Sequence, residues 1–205
     1  MDHNNILAVV LAGGKSTRFG KDKSQVKLGN KMLIDYVLTE IIDLYKDILI
    51  VTNEPIRFKD SNKISIISDI KKDLGPLGGV FTAMKWVMEN RKDYKWISTF
   101  PIDTPFFKKQ HLSKFYDEIN LDESDLFFMR SKNTRHNIFG LWSLKLFEKL
   151  ELALKRGDRK VELWANQIGV KTIDFKHENN KDPFFNINTE EDLEAAAKLL
   201  NNDKL

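Results

Sequence analysis

The sequence predicts an α/β fold, a Rossmann-like three-layer α/β/α sandwich around a mostly parallel sheet. Three observations point there. Short apolar runs alternate with amphipathic stretches through the first 120 residues, giving four strand–helix units. The first run, ILAVVL (6–11), is apolar on both faces, as a strand buried between two helix layers must be. Polar and glycine-rich clusters follow the strands at their carboxyl ends, where open α/β sheets hold ligands.

The elements follow in order. MLIDYVLTEIIDLY (32–45) places Leu33, Tyr36, Val37, Ile41 and Leu44 at helical spacing. DILIVT (47–52) and ISIIS (64–68) are β-branched, bounded by polar residues, and read as strands. GPLGG (75–79) reads as a tight turn before a helix over GVFTAMKWVMEN (79–90). KWISTF (95–100) reads as a strand stopped by Pro101, and KKQHLSKFYDEI (108–119) as a helix. Beyond residue 120 come DLFFMR (125–130), NIFGLW (137–142), a helix over LKLFEKLELALK (144–155), VELWANQ (161–167) and a strand over VKTIDF (170–175). NTEEDLEAAAKLL (188–200) closes the chain as a helix, with Thr189 and Asp192 as a capping pair. No repeat, low-complexity tract or Pro/Gly linker divides the chain. The expectation is one domain over residues 1–205, in which the part from about 121 decorates the sheet.

Bulk properties narrow the function. At 205 residues the chain is long enough for a sizeable core, and 41% hydrophobic with 31% charged residues is an ordinary globular balance. The net charge of +3 suits an anionic small molecule and does not call for nucleic acid. The absence of cysteine excludes disulfides and thiolate metal sites. The N-terminus carries acid and histidine where a signal peptide needs basic residues, and no apolar run approaches the roughly 20 residues of a membrane span. We therefore expect a cytoplasmic protein with neither nucleic-acid nor membrane partners.

VVLAGGKSTRFGKDK (9–23) contains the GKS of a phosphate-binding P-loop. That loop needs a glycine five residues before its GK glycine. Counting back from Gly14 gives Val9, and from Gly20 gives Lys15, so the P-loop is rejected. The dinucleotide pattern G-x-G-x-x-G fails too, because Gly13 and Gly14 are adjacent. What remains is a long loop in which two glycines free main-chain N–H groups for an anion. Arg18 can fork onto phosphate oxygens and Lys23 can act as a point charge. The plain alternative is a βα loop with solvated lysines, and the double glycine directly after a buried strand favours the anion site.

Two further clusters stand at strand ends. In FPIDTPFF (100–107), Asp103 sits in a turn stiffened by Pro101 and Pro105. A carboxylate there can hold Mg²⁺ against nucleotide phosphates, or it can cap a helix beginning near Pro105. In SDIKKDLGPLGGVF (68–81) the glycines admit close approach of a ligand or of a neighbouring loop, or they make a plain turn.

Together these motifs resemble a known family. LAGGKSTRFGKDK is similar to the L-A-G-G-x-S-x-R-M/F-G-x-D-K signature of the sugar-nucleotide-type nucleotidyltransferases. DLGPLGG resembles the G-P-L-A-G of their molybdenum cofactor guanylyltransferase branch. FPIDTPF resembles its C-P-C-D-T-P-F, with Phe100 and Ile102 in place of the cysteines. GDRKV (157–161) is similar to G-x-R-x-V, and FFNINTEEDL (184–193) to F-x-N-V-N-T-P-E-E-L. Glu190 replaces a proline and Gly78 an alanine, and no charged group with a proposed role is lost.

The resemblance implies a nucleotidyltransferase fold, with nucleotide binding in residues 1–120 and acceptor binding in about 121–205. It implies transfer of GMP from GTP to molybdenum-bearing molybdopterin with Mg²⁺, releasing pyrophosphate without a covalent enzyme intermediate. It also brings in molybdoenzyme-assembly proteins as partners. Leu11, Ala12 and Gly13 would give main-chain contacts to the nucleotide, and Gly14 would admit its phosphates. Arg18 and Lys23 would neutralise charge as pyrophosphate leaves, and Asp103 would bind the metal. Asp69 aligns with a nucleotide-binding aspartate suited to guanine N1–H and N2–H₂, with Asn53 a second candidate for that end. Asn186 and Asn188 would face the acceptor or the metal, or form a structural pair alternating on a strand. His136 is read as structural or pterin-adjacent. Arg159 and Lys160 either serve the anionic pterin or are solvated, and the Phe-rich pairs belong to the core. Competing readings are a transfer from CTP to molybdopterin, a sugar phosphate as acceptor, and a nucleotide-binding adaptor without turnover.

Overall fold

ILAVVL forms the first strand, β1 (Ile6–Leu11), and the structure shows why none of its positions is polar. Ile6, Ala8 and Val10 enter one hydrophobic core, while Leu7 and Val9 enter a second on the opposite face. Each fully buried Val, Leu or Ile contributes about 1.5–3 kcal/mol of transfer free energy, so neither face tolerates a polar residue. The structure is a computed structural model. It describes residues 3–13, 23–55, 62–70, 74–90, 93–175 and 182–202.

Beyond β1 lie the short hairpin strands β2 (Lys27–Leu28) and β3 (Lys31–Met32), then α1 (Leu33–Ile41), β4 (Ile48–Val51) and β5 (Ile64–Ile67). Next come α2 (Gly75–Asn90), β6 (Trp96–Pro101), α3 (Lys109–Glu118), β7 (Leu126–Ser131) and β8 (Thr134–Ser143). The chain closes with α4 (Phe147–Arg156), α5 (Val161–Ile168), β9 (Lys171–Phe175) and α6 (Glu190–Asn202). Seven strands form one sheet in the order β5-β4-β1-β6-β8-β7-β9. β4, β5 and β6 run parallel to β1 or its neighbours, β8 is antiparallel to both β6 and β7, and β9 is parallel to β7. The mostly parallel sheet between helix layers is the fold that the alternating pattern predicts.

One layer holds α1 and α3, whose Val37, Ile41, Leu112 and Phe115 join Val10, Phe100 and Phe139. The other holds α2, α4 and α5, whose Val80, Met84, Leu150 and Trp164 join Val9, Phe128 and Trp142. A third, smaller core joins Leu28 and Leu33 to Ile187 and Ala196, so α6 packs on the N-terminal half beside the β2–β3 hairpin. No described helix is long and apolar enough to cross a membrane.

Three details differ from the sequence reading. GPLGG is not a turn before α2 but its first turn. Gly75 has φ +62°, and Pro76 fits a first turn because its missing N–H would have no helical partner. Gly79 then lets the helix lie against β1, since a Cβ there would come within 3.0 Å of Leu11 Cδ2. Second, α1 ends at Ile41, and Leu44 packs on the core from the turn that follows. Third, residues 185–188 form no strand; they run as an irregular segment held by individual bonds.

Candidate functional site

Sheet register sets the frame. Ile67 pairs with Val51, Val51 with Leu11, and Leu11 with Pro101. Four strand ends therefore stand side by side, spanning roughly 14 Å at the usual inter-strand spacing. From β1 the chain steps outward to β4 and β5, then returns on the other side of β1 as β6. The strand order reverses beside β1, which is where open α/β sheets leave a crevice for ligand.

At that point Ala12 is buried and donates its N–H to Val51 O at 3.0 Å, continuing the sheet by one bond. Gly13, the next residue, is exposed. Among the described residues, a Cβ built on it would meet only Val51 O, at 3.9 Å. Gly14 and Arg18 lie outside the described residues.

Across the crevice, three residues distant in sequence meet. Lys23 Nζ donates to Asp103 Oδ2 at 2.5 Å and to Asn188 Oδ1 at 2.7 Å. The Lys23 and Asp103 side chains are only 17% and 15% exposed, so the pair is largely shielded from water. Asp103 also anchors the chain beyond it, because its carbonyl accepts the Ile187 N–H at 2.8 Å. Its other carboxylate oxygen, Oδ1, has only a long 3.5 Å contact with Thr104 Oγ1 among the described residues. Asp103 does not cap a helix. α3 begins at Lys109, where His111 Nδ1 accepts the Lys108 N–H at 2.8 Å.

No group of three or more His, Cys, Asp or Glu residues able to hold a metal exists among the described residues. A protein-only cage is thus absent there. A single carboxylate with one oxygen lightly engaged fits the way Mg²⁺ is held, by one or two carboxylates plus substrate phosphates.

At the far end of the crevice Asp69 and Asn53 are brought together. Asn53 Oδ1 accepts the Asp69 N–H at 3.1 Å. Thr82 of α2 donates its hydroxyl to Asp69 Oδ1 at 2.7 Å and accepts the Ile70 N–H at 3.2 Å. Asn53 thus secures the main chain, Thr82 aims the carboxylate, and Asp69 presents it beside Gly78. A Cβ on Gly78 would sit 3.5 Å from Asp69 Oδ2 and 2.6 Å from Leu74 Cβ. The sequence reading passed over Thr82. Its signal was a polar side chain inside the apolar run GVFTAM, where a buried hydroxyl needs a partner.

The remaining candidates separate. Asn188 joins the Lys23–Asp103 pair, while Asn186 is exposed. Among the described residues, Arg159 bonds only at the end of α4. Its Nη1 donates to Leu154 O at 3.1 Å and Asp158 O at 2.7 Å, closing the C-terminus of α4. His136 stands apart, bonded to Ser131 and with its ring tilted against Phe184. Phe107, Phe127, Phe128 and Phe184 are core residues, as read from the sequence.

Residues 8–169 match the MobA-like NTP transferase domain family. A protein of Rhizobium rhizogenes strain K84 named molybdenum cofactor guanylyltransferase is 32% identical over 197 residues, covering 93% of this chain and 90% of that one. A protein of the same name from Vibrio atlanticus is 31% identical over 195 residues, covering 93% and 95%. Among solved structures, molybdopterin-guanine dinucleotide biosynthesis protein A from Archaeoglobus fulgidus superposes with a TM-score of 0.74 at 23% identity, covering 96% of this chain and 99% of that one. The 4-diphosphocytidyl-2C-methyl-D-erythritol synthase of Anaerococcus prevotii gives 0.73 at 14%, covering 98% and 97%, which speaks for the shared fold alone. Matched by the family over residues 8–169 and 32% identical to a relative it covers to 90%, this chain belongs to the MobA-like NTP transferase family.

Proposed function

We propose that this chain transfers GMP from GTP to molybdenum-bearing molybdopterin, forming the guanine dinucleotide cofactor and pyrophosphate. The observation that carries the reading is the Lys23–Asp103–Asn188 cluster, set at the strand ends where the strand order reverses and where the exposed Gly13 follows β1. The relatives' names supply guanine and the pterin acceptor.

The terminal phosphate of the acceptor attacks the α-phosphorus of GTP, and the bond from that phosphorus to the pyrophosphate oxygen breaks. Such a transfer needs alignment and charge stabilisation more than a protein nucleophile. Leu11, Ala12 and Gly13 give main-chain contacts to the nucleotide, and Gly14 admits the phosphates. Lys23 turns from Asp103 toward the pyrophosphate and offsets its charge as it leaves, and Arg18 shares that task. Asp69 accepts hydrogen bonds from the guanine edge, with Asn53 fixing its main chain. Asn186 faces the acceptor. Asp103 would hold Mg²⁺ together with the triphosphate, and the ion supplies Lewis acidity to the phosphate oxygens. In this reading the chain is one cytoplasmic domain. Its second half helps to bind the acceptor, and molybdoenzyme-assembly proteins take the product.

The test is thermal stabilisation by each nucleotide with Mg²⁺, followed by pyrophosphate release with each acceptor. GTP is expected to raise the melting temperature more than CTP, ATP or UTP, with release requiring molybdopterin. A larger shift with CTP would refute the guanine assignment. Release with a sugar 1-phosphate but not with molybdopterin would refute the acceptor.

A further inference from the structure

Ser131, His136 and Asp182 meet at the same edge of the sheet, outside the crevice cluster. Ser131 Oγ donates to Asp182 Oδ1 at 2.9 Å and lies 2.7 Å from His136 Nε2. A carboxylate only accepts, so the hydroxyl proton is committed to Asp182. Ser131 must then accept from His136, which carries its proton on Nε2. That order of bonds leaves no base for a nucleophilic serine, although the three residue types suggest one. The same Asp182 Oδ1 accepts the Phe184 N–H at 3.0 Å, and the Asp182 carbonyl accepts the Phe185 N–H at 3.1 Å.

The chain that Asp182 starts leads straight to the crevice. Phe184 is buried among His111, His136, Phe139 and Phe175. Ile187 bonds to the Asp103 carbonyl, and Asn188 receives Lys23. Residues 185–188 have no ladder to fix their register. The aromatic plug alone would hold them against the core but would not aim them. The buried Ser131 hydroxyl and the half-buried His136 imidazole cost desolvation that an apolar pair would not, and they return direction.

We propose that Asp182, clamped by Ser131 and His136, is a positioning residue that sets Asn188 and, through it, the Lys23 ammonium. The inference rests on the guanylyl-transfer reading. The test compares Asp182→Ala, His136→Phe and His136→Gln with the intact chain in GTP turnover. Phe keeps the ring against Phe184 and loses the donor; Gln keeps an N–H near the Nε2 position. Asp182→Ala and His136→Phe are expected to lower kcat about tenfold with the GTP KM within about twofold, and His136→Gln to stay within about twofold of the parent. Adding Asp182→Ala to Asn188→Ala should cost nothing further, because both act on Lys23. Additive losses, or equal losses for Phe and Gln, would overturn the proposal. If Asp182→Ala fails to fold, the two His136 variants carry the comparison. If the parent shows no guanylyl transfer, the reaction reading falls, and hydrogen exchange of the Ile187 amide judges the clamp. Faster exchange in His136→Phe than in His136→Gln supports the clamp, and equal exchange overturns it.

Discussion

Lys23 and Asp103 neutralise each other at 2.5 Å and Asn188 accepts a second ammonium N–H, so each charge is held ready without being left bare. Asp103→Asn keeps an acceptor for Lys23 and should preserve the fold, while turnover in Mg²⁺ falls by about 10²-fold or more, as for other lost electrostatic groups. Substantial activity in that variant would show the metal to be held elsewhere. Lys23→Ala should lower kcat more than it weakens GTP binding; a loss confined to affinity would make Lys23 a docking residue. His136 gives a pH prediction. Burial depresses its pKa below the ordinary 6.5, with Asp182 pulling weakly the other way. The folded chain then binds fewer protons than the unfolded chain near that pH, so stability rises with pH there. Its contribution is complete above 6.5 and is lost as pH falls through 6.5 and the lower folded value. The melting temperature should drop between about pH 7.5 and 5.5, and the drop should shrink in His136→Gln. An identical drop in both proteins would remove His136 as the cause.

Elements place these residues by close approach as much as by pairing. α2 carries glycines at 78 and 79 because Cβ atoms there would come within 2.6 Å of Leu74 Cβ and 3.0 Å of Leu11 Cδ2. The same logic governs β8. A Cβ on Gly140 would sit 2.1 Å from the Phe127 carbonyl oxygen, beside the shift in register at Phe128 and Met129. The obstacle is main chain and cannot rotate away. Gly140→Ala should therefore destabilise the protein by about 3 kcal/mol, at or above the upper end of usual overpacking costs. Denaturant titration measures this, and a change under about 1 kcal/mol would show that the strands separate easily. The capping pair read at Thr189 and Asp192 is present. Asp192 Oδ2 accepts the Asn188 and Thr189 N–H groups at 2.9 Å, and Thr189 Oγ1 accepts the Asp192 N–H at 3.1 Å. That box does double duty, since it also fixes the main chain of the residue that meets Lys23.

At the scale of the whole molecule, the last helix returns to the first third of the chain. Ala196 is fully buried against the β2–β3 hairpin that follows Lys23, in the core that also holds Ile187. Both sides of the Lys23–Asn188 contact therefore depend on one small core. Ala196→Arg places a charge there without a partner and should destabilise by about 3–5 kcal/mol. Turnover should fall even at temperatures where the variant is folded. Full activity in the folded variant would separate α6 from the site.

The sequence by itself determined the layered α/β architecture, because the double-sided apolar run of β1 and the alternation of strands and helices leave few other ways to bury those side chains. It also located Gly13, Asp69 and Asp103 at strand ends and Lys23 in the loop that follows the first strand, since ligands in such sheets gather there. Only the tertiary structure decided which of them touch. Lys23 meets Asp103 across 80 positions and Asn188 across 165, and Thr82 reaches Asp69 from another layer. Periodicity reports which face of an element is buried, whereas a hydrogen bond between distant residues depends on sheet order, register and the path of an irregular segment. Those are fixed by packing of the whole chain.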